Sequence, residues 1–360
     1  MPLRALARVN LAAIERNCRL LDAAAGDAQL CAVVKGEGYG HGAVLSAVAA
    51  LAGGASWLAV ATANEAMDLR MAGIEARLLV MGAVSPEELP VALAADADLV
   101  AWTEEFADAA ADARLHVKLD TGMGRLGTRD AHAAARLAGR DNVVGLMTHF
   151  ATADERGDDF LGEQLAAFTD WVAPLKAARP DLVVHAANSA ATLRQPAAHF
   201  DLVRCGIAVY GLDPFHSDPR EHGLEPALSL ESYVAAVKPC APGESAGYGR
   251  RFVASEPTTL ATLPIGYADG VRRGLTNNAE VLIGGRRWPL VGTVSMDNIT
   301  VEVAPDEVAV GDPAVLIGEQ GGARILAEEV ARRLDTINYE ITCGITARVA
   351  REYHRDGEPE

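Results

Sequence analysis

The chain has 360 residues, of which half are hydrophobic and 22% are charged, so the composition predicts a large core and argues against disorder. The 32 lysine and arginine residues against 49 aspartate and glutamate residues give a net charge of −17, which argues against nucleic acids or anionic membranes as partners. At about 150 residues per domain, the length predicts about two domains, or one large barrel with an addition.

The sequence shows no recognisable targeting signal, and its scattered cysteines are typical of a reducing compartment, so we expect a cytoplasmic protein. No apolar run approaches the roughly 18 residues that a transmembrane helix needs. Arg4 and Arg8 interrupt the start of the chain before the apolar segment of a signal peptide could form. The five cysteines are scattered without a CxxC pair, which predicts neither a disulfide framework nor a zinc site.

Short apolar runs alternate with helical stretches between about residues 30 and 210. Continuous apolarity is typical of strands that are buried on both faces of a parallel sheet, and strand–helix alternation implies right-handed βαβ units. The runs cover residues 31–34, 57–60, 78–81, 98–101, 115–119, 143–148, 182–186 and 202–209. Eight units predict a closed (β/α)8 TIM-like barrel, although a doubly wound sheet has a similar rhythm.

The pattern of hydrophobic residues changes after about residue 223. Long helical periodicity disappears, and short runs with turn signals between them indicate strands. These runs cover residues 228–237, 258–265, 280–283, 288–294, 300–303 and 314–317, and the glycines at 284–285 predict a hairpin turn. We therefore assign residues 1–223 to the barrel and residues 224–360 to a β-rich C-terminal domain.

Polar and cationic residues lie near or just after the ends of five of the eight barrel runs. Because barrel enzymes build their active sites at the C-terminal ends of the strands, we expect these residues to converge at one rim. They are Lys35, Lys118, His149, the pair Asn188 and Ser189, and Arg204 with the following Gly206 and Ile207.

Each of these residues also has a purely structural explanation. A lysine at a buried strand end has a lowered pKa that suits Schiff-base chemistry, but Lys35 could also extend its amine to water. Ser189 could contact a phosphate group or only cap a helix. His149 could be a base, a ring-stacking partner or a satisfied core histidine, and the absence of HxH and HExxH motifs disfavours a metal site.

Two further groups of residues could likewise have either a functional or a purely structural role. Lys118, Asp120 and Arg125 could bind a ligand or form a local ion network. Tyr248 lies between two glycines in the C-terminal domain, where it could act as an acid or base or simply occupy a turn.

Nine stretches, in order along nearly the whole chain, resemble the alanine racemases. They are residues 32–42, 118–127, 148–151 with Asp154, 185–189, 203–207, 247–249, 264–270, 295–297 and 338–340. The resemblance implies a homodimeric enzyme that uses pyridoxal phosphate to interconvert L- and D-alanine and supplies D-alanine for peptidoglycan. A racemase of another small or basic amino acid, a fold-related amino-acid decarboxylase and a non-catalytic carrier of the cofactor are the alternatives.

The resemblance also implies catalytic roles. Lys35 would hold the cofactor covalently and serve one face of the substrate Cα, while Tyr248 from the second subunit would serve the other face. Arg204 would face the pyridine nitrogen and keep it unprotonated, which makes the ring a weaker electron sink. His149 would pack on the ring and contact Arg204.

The remaining roles implied by the resemblance concern binding. The cofactor would also be held by Tyr39, Asn188, Ser189, Gly206, Ile207 and Tyr339. The substrate would be bound by Arg125, Met296, Asp297 and Tyr267, with Asp154 and Arg273 near the entrance. Lys118 matches a lysine that the family often carries as a carbamate, and no metal is expected.

The sequence departs from the family pattern in three places. Residues 36–38 are Gly-Glu-Gly where Ala-Asn-Ala is common, Cys205 replaces a usual proline, and Ser295 replaces a usual cysteine. None of these changes removes a group to which the resemblance gives a catalytic role.

Overall fold

The computed structural model of the protein describes residues 4–305 and 307–360. The chain divides into two compact units. The barrel unit comprises residues 14–215 and 222–225, and the β unit comprises residues 4–13, 216–221 and 226–360. No helix within the described ranges has the length and apolarity needed to cross a membrane.

Eight parallel strands close into a barrel in the barrel unit. With strands numbered along the whole chain, they are β2 (Gln29–Val33), β3 (Trp57–Val60), β4 (Arg77–Val80), β5 (Ala97–Ala101), β6 (Leu115–Lys118), β7 (Val143–Met147), β8 (Val183–His185) and β9 (Leu202–Cys205). Successive strands pair with each other, and β2 pairs with β9 to close the ring. Each predicted run overlaps one of these strands, so the predicted TIM-like barrel is confirmed.

Helices connect the barrel strands. They are Leu11–Ala25, Ala43–Ala52, Ala63–Met71, Leu89–Ala94, Glu104–Ala109, Ala131–Ala138, Phe160–Ala178 and Ser189–Arg194, and short 3₁₀ turns cover Pro196–Ala198 and Ile207–Tyr210. Side-chain caps at Thr62, Thr103, Asp130 and Asn188 begin four of these helices by accepting backbone N–H groups. The run predicted to reach residue 209 ends as a strand at Cys205, because the backbone turns there into the 3₁₀ segment.

The β unit is built on a large mixed sheet, so the predicted β-rich character is confirmed. The order of the sheet is β11-β14-β17-β16-β15-β18-β10-β1-β20-β21, with β19 paired to β18 and a separate β12–β13 hairpin. The strands are β1 (Leu6–Asn10), β10 (Leu228–Tyr233), β11 (Ala236–Cys240), β12 (Ser245–Ala246), β13 (Phe252–Val253), β14 (Thr258–Leu263), β15 (Ala279–Ile283), β16 (Arg286–Val291), β17 (Ile299–Val303), β18 (Pro313–Gln320), β19 (Ala323–Ile325), β20 (Ala350–Arg355) and β21 (Glu358–Pro359). Helices Ala327–Arg333 and Asn338–Cys343 and 3₁₀ turns at Tyr248–Arg250, Tyr267–Asp269 and Arg273–Leu275 complete the unit.

Some features of the β unit agree with the predictions made from the sequence, and others differ from them. The predicted hairpin turn is present, because β15 and β16 pair up to Ile283 and Arg286 around two glycines with φ of 62° and 77°. The run 228–237 contains two strands, since β10 pairs with β1 and β18 whereas β11 pairs with β14. Strand β1 pairs with β10 and β20 and thus lies in the β unit, although the sequence analysis places residues 1–223 in the barrel.

Candidate active site

Lys35 stands at the mouth of the barrel, two residues after the end of β2. The next four residues adopt left-handed backbone conformations, with φ between 53° and 61°. Glycines at 36 and 38 make this turn inexpensive, because glycine has no Cβ to clash in that region. The amide of Gly36 donates to the Glu65 Oε1 at 2.7 Å, and this carboxylate also accepts the amide of Ala61 at 2.8 Å. Glu65 therefore ties the segment after Lys35 to the next loop of the barrel.

A small polar cradle forms where β8 and β9 end. The Ser189 hydroxyl accepts the amides of Gly206 at 3.0 Å and Ala208 at 3.3 Å, and Asn188 caps the short helix that Ser189 begins. Gly206 leaves room for Tyr39, because a Cβ at that position would lie 2.3 Å from the tyrosine hydroxyl. The structure thus brings Tyr39, Ser189 and Gly206 together.

Arg204 on β9 is almost fully buried and strongly hydrogen bonded. Its Nη2 donates to the carbonyls of Thr148 at 2.9 Å and Ala186 at 3.0 Å, and it also lies 3.3 Å from Nδ1 of His149. The predicted contact between Arg204 and His149 is therefore present in the structure. Burial lowers the pKa of Arg204 to about 10, so the guanidinium stays charged at neutral pH.

His149 is held as a neutral imidazole. Burial is the largest cause of a pKa well below the usual value, and the charges of Arg204 and Lys118 lower it further. Because Nδ1 accepts from the guanidinium, the proton of the ring lies on Nε2. A neutral ring of fixed tautomer is suited to pack against an aromatic ligand.

Lys118 ends β6 inside the cationic part of the rim and is 4% exposed. Burial, followed by the charges of Arg204 and Arg125, lowers its pKa to about 8. Asp120 pairs instead with Arg129 at 3.1 Å and accepts the amides of two glycines of the loop. The local network considered from sequence is thus centred on Asp120 and Arg129 rather than on Lys118 or Arg125.

Tyr248 in the β unit is 74% exposed. It lies on the loop between β12 and β13, where its two neighbouring glycines have φ near 70°. The hydroxyl of Thr293 donates to the backbone carbonyl of Tyr248 at 2.6 Å. The loop is therefore held through its backbone, and the phenol side chain is left accessible.

Tyr267 and Met296 lie on two loops that are joined by backbone hydrogen bonds. The amide of Tyr267 donates to the carbonyl of Ser295 at 2.9 Å, and the amide of Ala268 donates to the carbonyl of Met296 at 3.0 Å. Both side chains are exposed, at 42% and 50%. The structure thus brings these two predicted substrate-binding residues side by side.

The same two loops are supported by a buried carboxylate that the sequence analysis did not identify. Asp269 is fully buried and accepts two hydrogen bonds from Arg4, both at 2.8 Å, and one from the amide of Gly266 at 2.8 Å. Arg348 lies 3.3 Å from Asp269 and pairs with Asp297 at 2.8 Å. Asp297 is thereby attached to the base of the loops.

The other predicted residues have simple placements. Tyr339 lies in helix Asn338–Cys343, with its ring centroid 6.5 Å from that of His216. Arg273 is exposed on a 3₁₀ turn, Asp154 is half-buried in the loop after β7, and Ile207 begins the 3₁₀ segment after β9. The predicted residues therefore form two groups, one at the barrel rim and one on loops of the β unit.

Family profiles cover nearly all of the chain. The profile of the alanine racemase N-terminal domain matches residues 9–214, and that of the C-terminal domain matches residues 227–353. This chain belongs to the alanine racemase family. Membership makes it an isomerase and implies dependence on pyridoxal phosphate.

Relatives and solved structures of this family align over nearly their full lengths. The alanine racemase of Frankia casuarinae is 44% identical over 98% of this chain and 96% of the relative. Alanine racemase 1 of Bacillus subtilis is 39% identical over 98% and 93%. The crystal structure of alanine racemase from Streptomyces lavendulae matches with a TM-score of 0.91 and 38% identity over 98% of both chains. The structure from Bacillus anthracis with bound L-Ala-P matches with a TM-score of 0.90 and 38% identity, over all of this chain and 97% of that one.

The barrel rim fits the cofactor that the family implies. Pyridoxal phosphate carries an anionic phosphate, an aldehyde and an aromatic ring. The rim offers cationic groups at Lys35, Lys118 and Arg204, each of which lowers the pKa of His149. Beside them is the cradle in which the Ser189 hydroxyl accepts the amides of Gly206 and Ala208, and in which Gly206 lets the Tyr39 hydroxyl approach closely. The positive charge and the polar groups of the site therefore suit such an anion.

Proposed function

We propose that this protein interconverts L- and D-alanine with pyridoxal phosphate in an active site shared between two subunits. The observation that carries the proposal is the placement of cationic residues around His149 at the ends of paired parallel strands. Lys35 follows β2 and Arg204 lies on its neighbour β9, while Lys118 ends β6 and His149 follows its neighbour β7. Nη2 of Arg204 lies 3.3 Å from Nδ1 of His149. Its product would be the D-alanine used in peptidoglycan, made in the cytoplasm.

In this proposal, the cofactor is bound by barrel residues together with Tyr339 of the β unit. The amine of Lys35 would bond to the aldehyde carbon, and the phosphate would be bound by Tyr39, Ser189, Gly206, Ile207 and Tyr339. Asn188 fixes the position of Ser189 through the helix cap. Arg204 would face the ring nitrogen, and because a guanidinium has only donors it could donate a hydrogen bond to that nitrogen but could not accept a proton from it. When bound, the cofactor supplies an electron sink that makes the Cα–H of an amino acid acidic.

Racemisation needs two proton-transfer groups on opposite faces of Cα. The amine of Lys35 serves one face, and the phenol of Tyr248 of the partner subunit serves the other. The 74% exposure of Tyr248 in a single chain supports this division, because an acid or base works better once a surrounding site has excluded water. A twofold head-to-tail pair would complete two such sites.

The proposal assigns the binding of the substrate carboxylate to Arg125 and the backbone N–H of Met296. Asp297 also belongs to the substrate-binding group, and Tyr267, Asp154 and Arg273 narrow the entrance and favour a small side chain. Lys118, with its pKa lowered to about 8, has enough neutral amine near physiological pH to react with carbon dioxide. Its carbamate would be an anion able to orient Arg125.

The test is to incubate the purified holoenzyme separately with L-alanine and D-alanine and to measure both enantiomers by chiral chromatography. Because enantiomers have equal free energies in solution, each reaction should end at equal amounts of the two. A protein that binds the cofactor but leaves both enantiomers unchanged contradicts the proposed substrate. Serine, lysine and ornithine, with carbon dioxide release monitored, then separate a racemase of another amino acid from a decarboxylase.

A further inference from the structure

A chain of buried polar side chains runs from Arg204 across the barrel to Asp98. Arg204 Nη1 lies 2.7 Å from Nδ1 of His185, and Nε2 of His185 lies 2.7 Å from Nδ1 of His116. Nε2 of His116 lies 3.0 Å from Oδ2 of Asp98. The four residues come from β9, β8, β6 and β5, so the chain crosses half of the barrel strands.

Only one arrangement of protons satisfies all three contacts. A guanidinium can only donate, so Nδ1 of His185 must accept and its ring proton lies on Nε2. That proton is donated to Nδ1 of His116, which places the proton of His116 on Nε2 as well. Asp98, as a carboxylate, accepts this last hydrogen bond. Every donor in the chain therefore points away from Arg204.

Burying these four polar side chains costs free energy unless each has a hydrogen-bond partner. Asp98, His116 and His185 have no exposed surface, and Arg204 is 3% exposed. Burial without partners would cost each group several kcal/mol, yet here each is hydrogen bonded. Asp98 in addition accepts a hydrogen bond from Nε of Arg77 at 2.9 Å and pairs with Arg114. Burial alone would raise the pKa of Asp98, but His116, Arg114 and Arg77 lower it. These contacts therefore keep the carboxylate negatively charged.

The barrel backbone is shaped to admit His116. The pairing of β6 with β7 shifts register between Leu115 and His116, and such an irregularity re-aims a side chain. On β7, Gly145 lies against the imidazole, where a Cβ would be 2.2 Å from Nδ1 of His116. A glycine within a strand weakens the strand, so the space made for His116 lowers the local stability of β7.

We propose that Asp98 and His116 are positioning residues that act through His185 on Arg204. Asp98 fixes the proton of His116, which fixes the proton of His185, and His185 consequently always presents a lone pair to Nη1 of Arg204. The guanidinium is thereby held in one orientation for the cofactor nitrogen. This last step rests on the proposed function of Arg204, whereas the order of protons along the chain does not.

The first test is made on the unaltered holoenzyme. Protein labelled with ¹⁵N-histidine is studied by long-range ¹H–¹⁵N correlation spectra from pH 6 to pH 9, with signals assigned by their loss in His116→Gln and His185→Gln. We expect both rings to be neutral with the proton on Nε2 across this range. A proton on Nδ1 of either ring, or a charged imidazolium at neutral pH, overturns the proposal whether or not the protein racemises alanine.

The second test compares two variants of His116. Glutamine offers an acceptor to His185 and a donor to Asp98, whereas leucine offers neither at a similar volume. We expect His116→Leu to lower kcat/KM by about 10- to 100-fold, the usual effect of losing a partner behind a functional group, mainly through kcat. We expect His116→Gln to recover most of this loss.

A spectroscopic readout separates positioning from mere stability. In wild type and His116→Gln, the visible absorbance of the bound cofactor should stay constant between pH 6 and pH 9, while in His116→Leu it should titrate. Equal activities and equal absorbance profiles for the two variants overturn the proposal. If His116→Leu does not fold, the histidine spectra of the wild type still decide. Ordered histidines in a protein that leaves alanine unchanged would instead contradict the proposed function alone.

Discussion

The two groups of site residues are held in opposite ways. At the barrel rim, Arg204 and Lys118 are 3% and 4% exposed, and Arg204 is fixed by hydrogen bonds from its own side chain. On the loops of the β unit, Tyr248, Tyr267 and Met296 are between 42% and 74% exposed, and hydrogen bonds of the backbone hold their loops. One group is fixed through its functional atoms and the other through the main chain.

This difference follows from what each group has to do. A buried guanidinium, lysine or imidazole changes its pKa or its tautomer unless neighbours fix it, so the barrel residues need polar partners inside the protein. Exposed side chains in water need no such partners. They acquire a defined environment only when another molecule covers them, and in the proposed function that molecule is the partner subunit.

The largest effect is expected from separating the two groups in different chains. Lys35→Ala and Tyr248→Phe should each be nearly inactive alone. In co-expressed mixed dimers, one site would combine both substitutions and the other would keep both native residues. Since half of randomly formed dimers are mixed, racemisation should return to about a quarter of the wild-type rate. In the control mixture, Lys238→Ala, which alters an exposed lysine, takes the place of Lys35→Ala. If the mixture of Lys35→Ala and Tyr248→Phe recovers no activity, the shared site is contradicted.

A somewhat smaller effect is expected from Tyr248→Phe alone, which removes one hydroxyl and leaves the barrel untouched. Loss of one positioned acid or base costs about 10²- to 10⁴-fold in rate. Cofactor binding should survive, and in deuterium oxide only one alanine enantiomer should still exchange its Cα–H, through Lys35. Mass spectrometry of the recovered enantiomers measures this, with Tyr233→Phe as control. Equal exchange of both enantiomers would contradict the assignment of one base to each face.

Asp269→Asn tests the support of the β-unit loops. The amide keeps the size of the side chain but removes the charge that Arg4 and Arg348 face, so unfolding free energy should fall by about 2–3 kcal/mol. Because Asp269 underlies Tyr267 and Met296, KM for alanine should rise more than kcat falls. Urea unfolding and steady-state kinetics measure the two effects. The exposed Glu256→Gln is the matched control, and an unchanged KM would limit Asp269 to stability.

The sequence could predict what depends on local pattern. The eight barrel strands are continuous apolar runs, and the hairpin at 284–285 carries its own turn residues. Strand β1 could not be found in this way, because its partners β10 and β20 lie more than 200 residues away along the chain and its short run resembles the start of a helix.

Prediction of the site had a similar limit. Lys35, Ser189 and Arg204 could be found because functional residues of a barrel follow strand ends and because the motifs resemble a known family. Asp98 and His116 lie inside strands, where a polar residue only interrupts an apolar pattern. Their partners are 18 and 69 positions away, so only the closed barrel shows that they meet. A charged residue within a fully buried run was the one available signal.

The smallest effect concerns Lys118, whose burial can be measured through pH. Its pKa falls from 10.5 to about 8 because of burial and the charges of Arg204 and Arg125. Between these values the unfolded chain binds the proton and the folded protein does not, so the unfolding free energy rises with pH across this window. Below about pH 8 both states are protonated, and the buried cation then costs about 3 kcal/mol.

Comparison with Lys118→Met isolates this contribution, since the other groups that titrate at alkaline pH are common to both proteins. In buffer free of carbon dioxide, the wild type should gain stability relative to the variant between pH 8 and pH 10, as measured by urea unfolding. The exposed Lys238→Met should show no such difference. With bicarbonate, formation of a carbamate removes the titrating amine and should flatten the curve. A flat curve in buffer without carbon dioxide would mean that Lys118 keeps its proton inside the cationic rim.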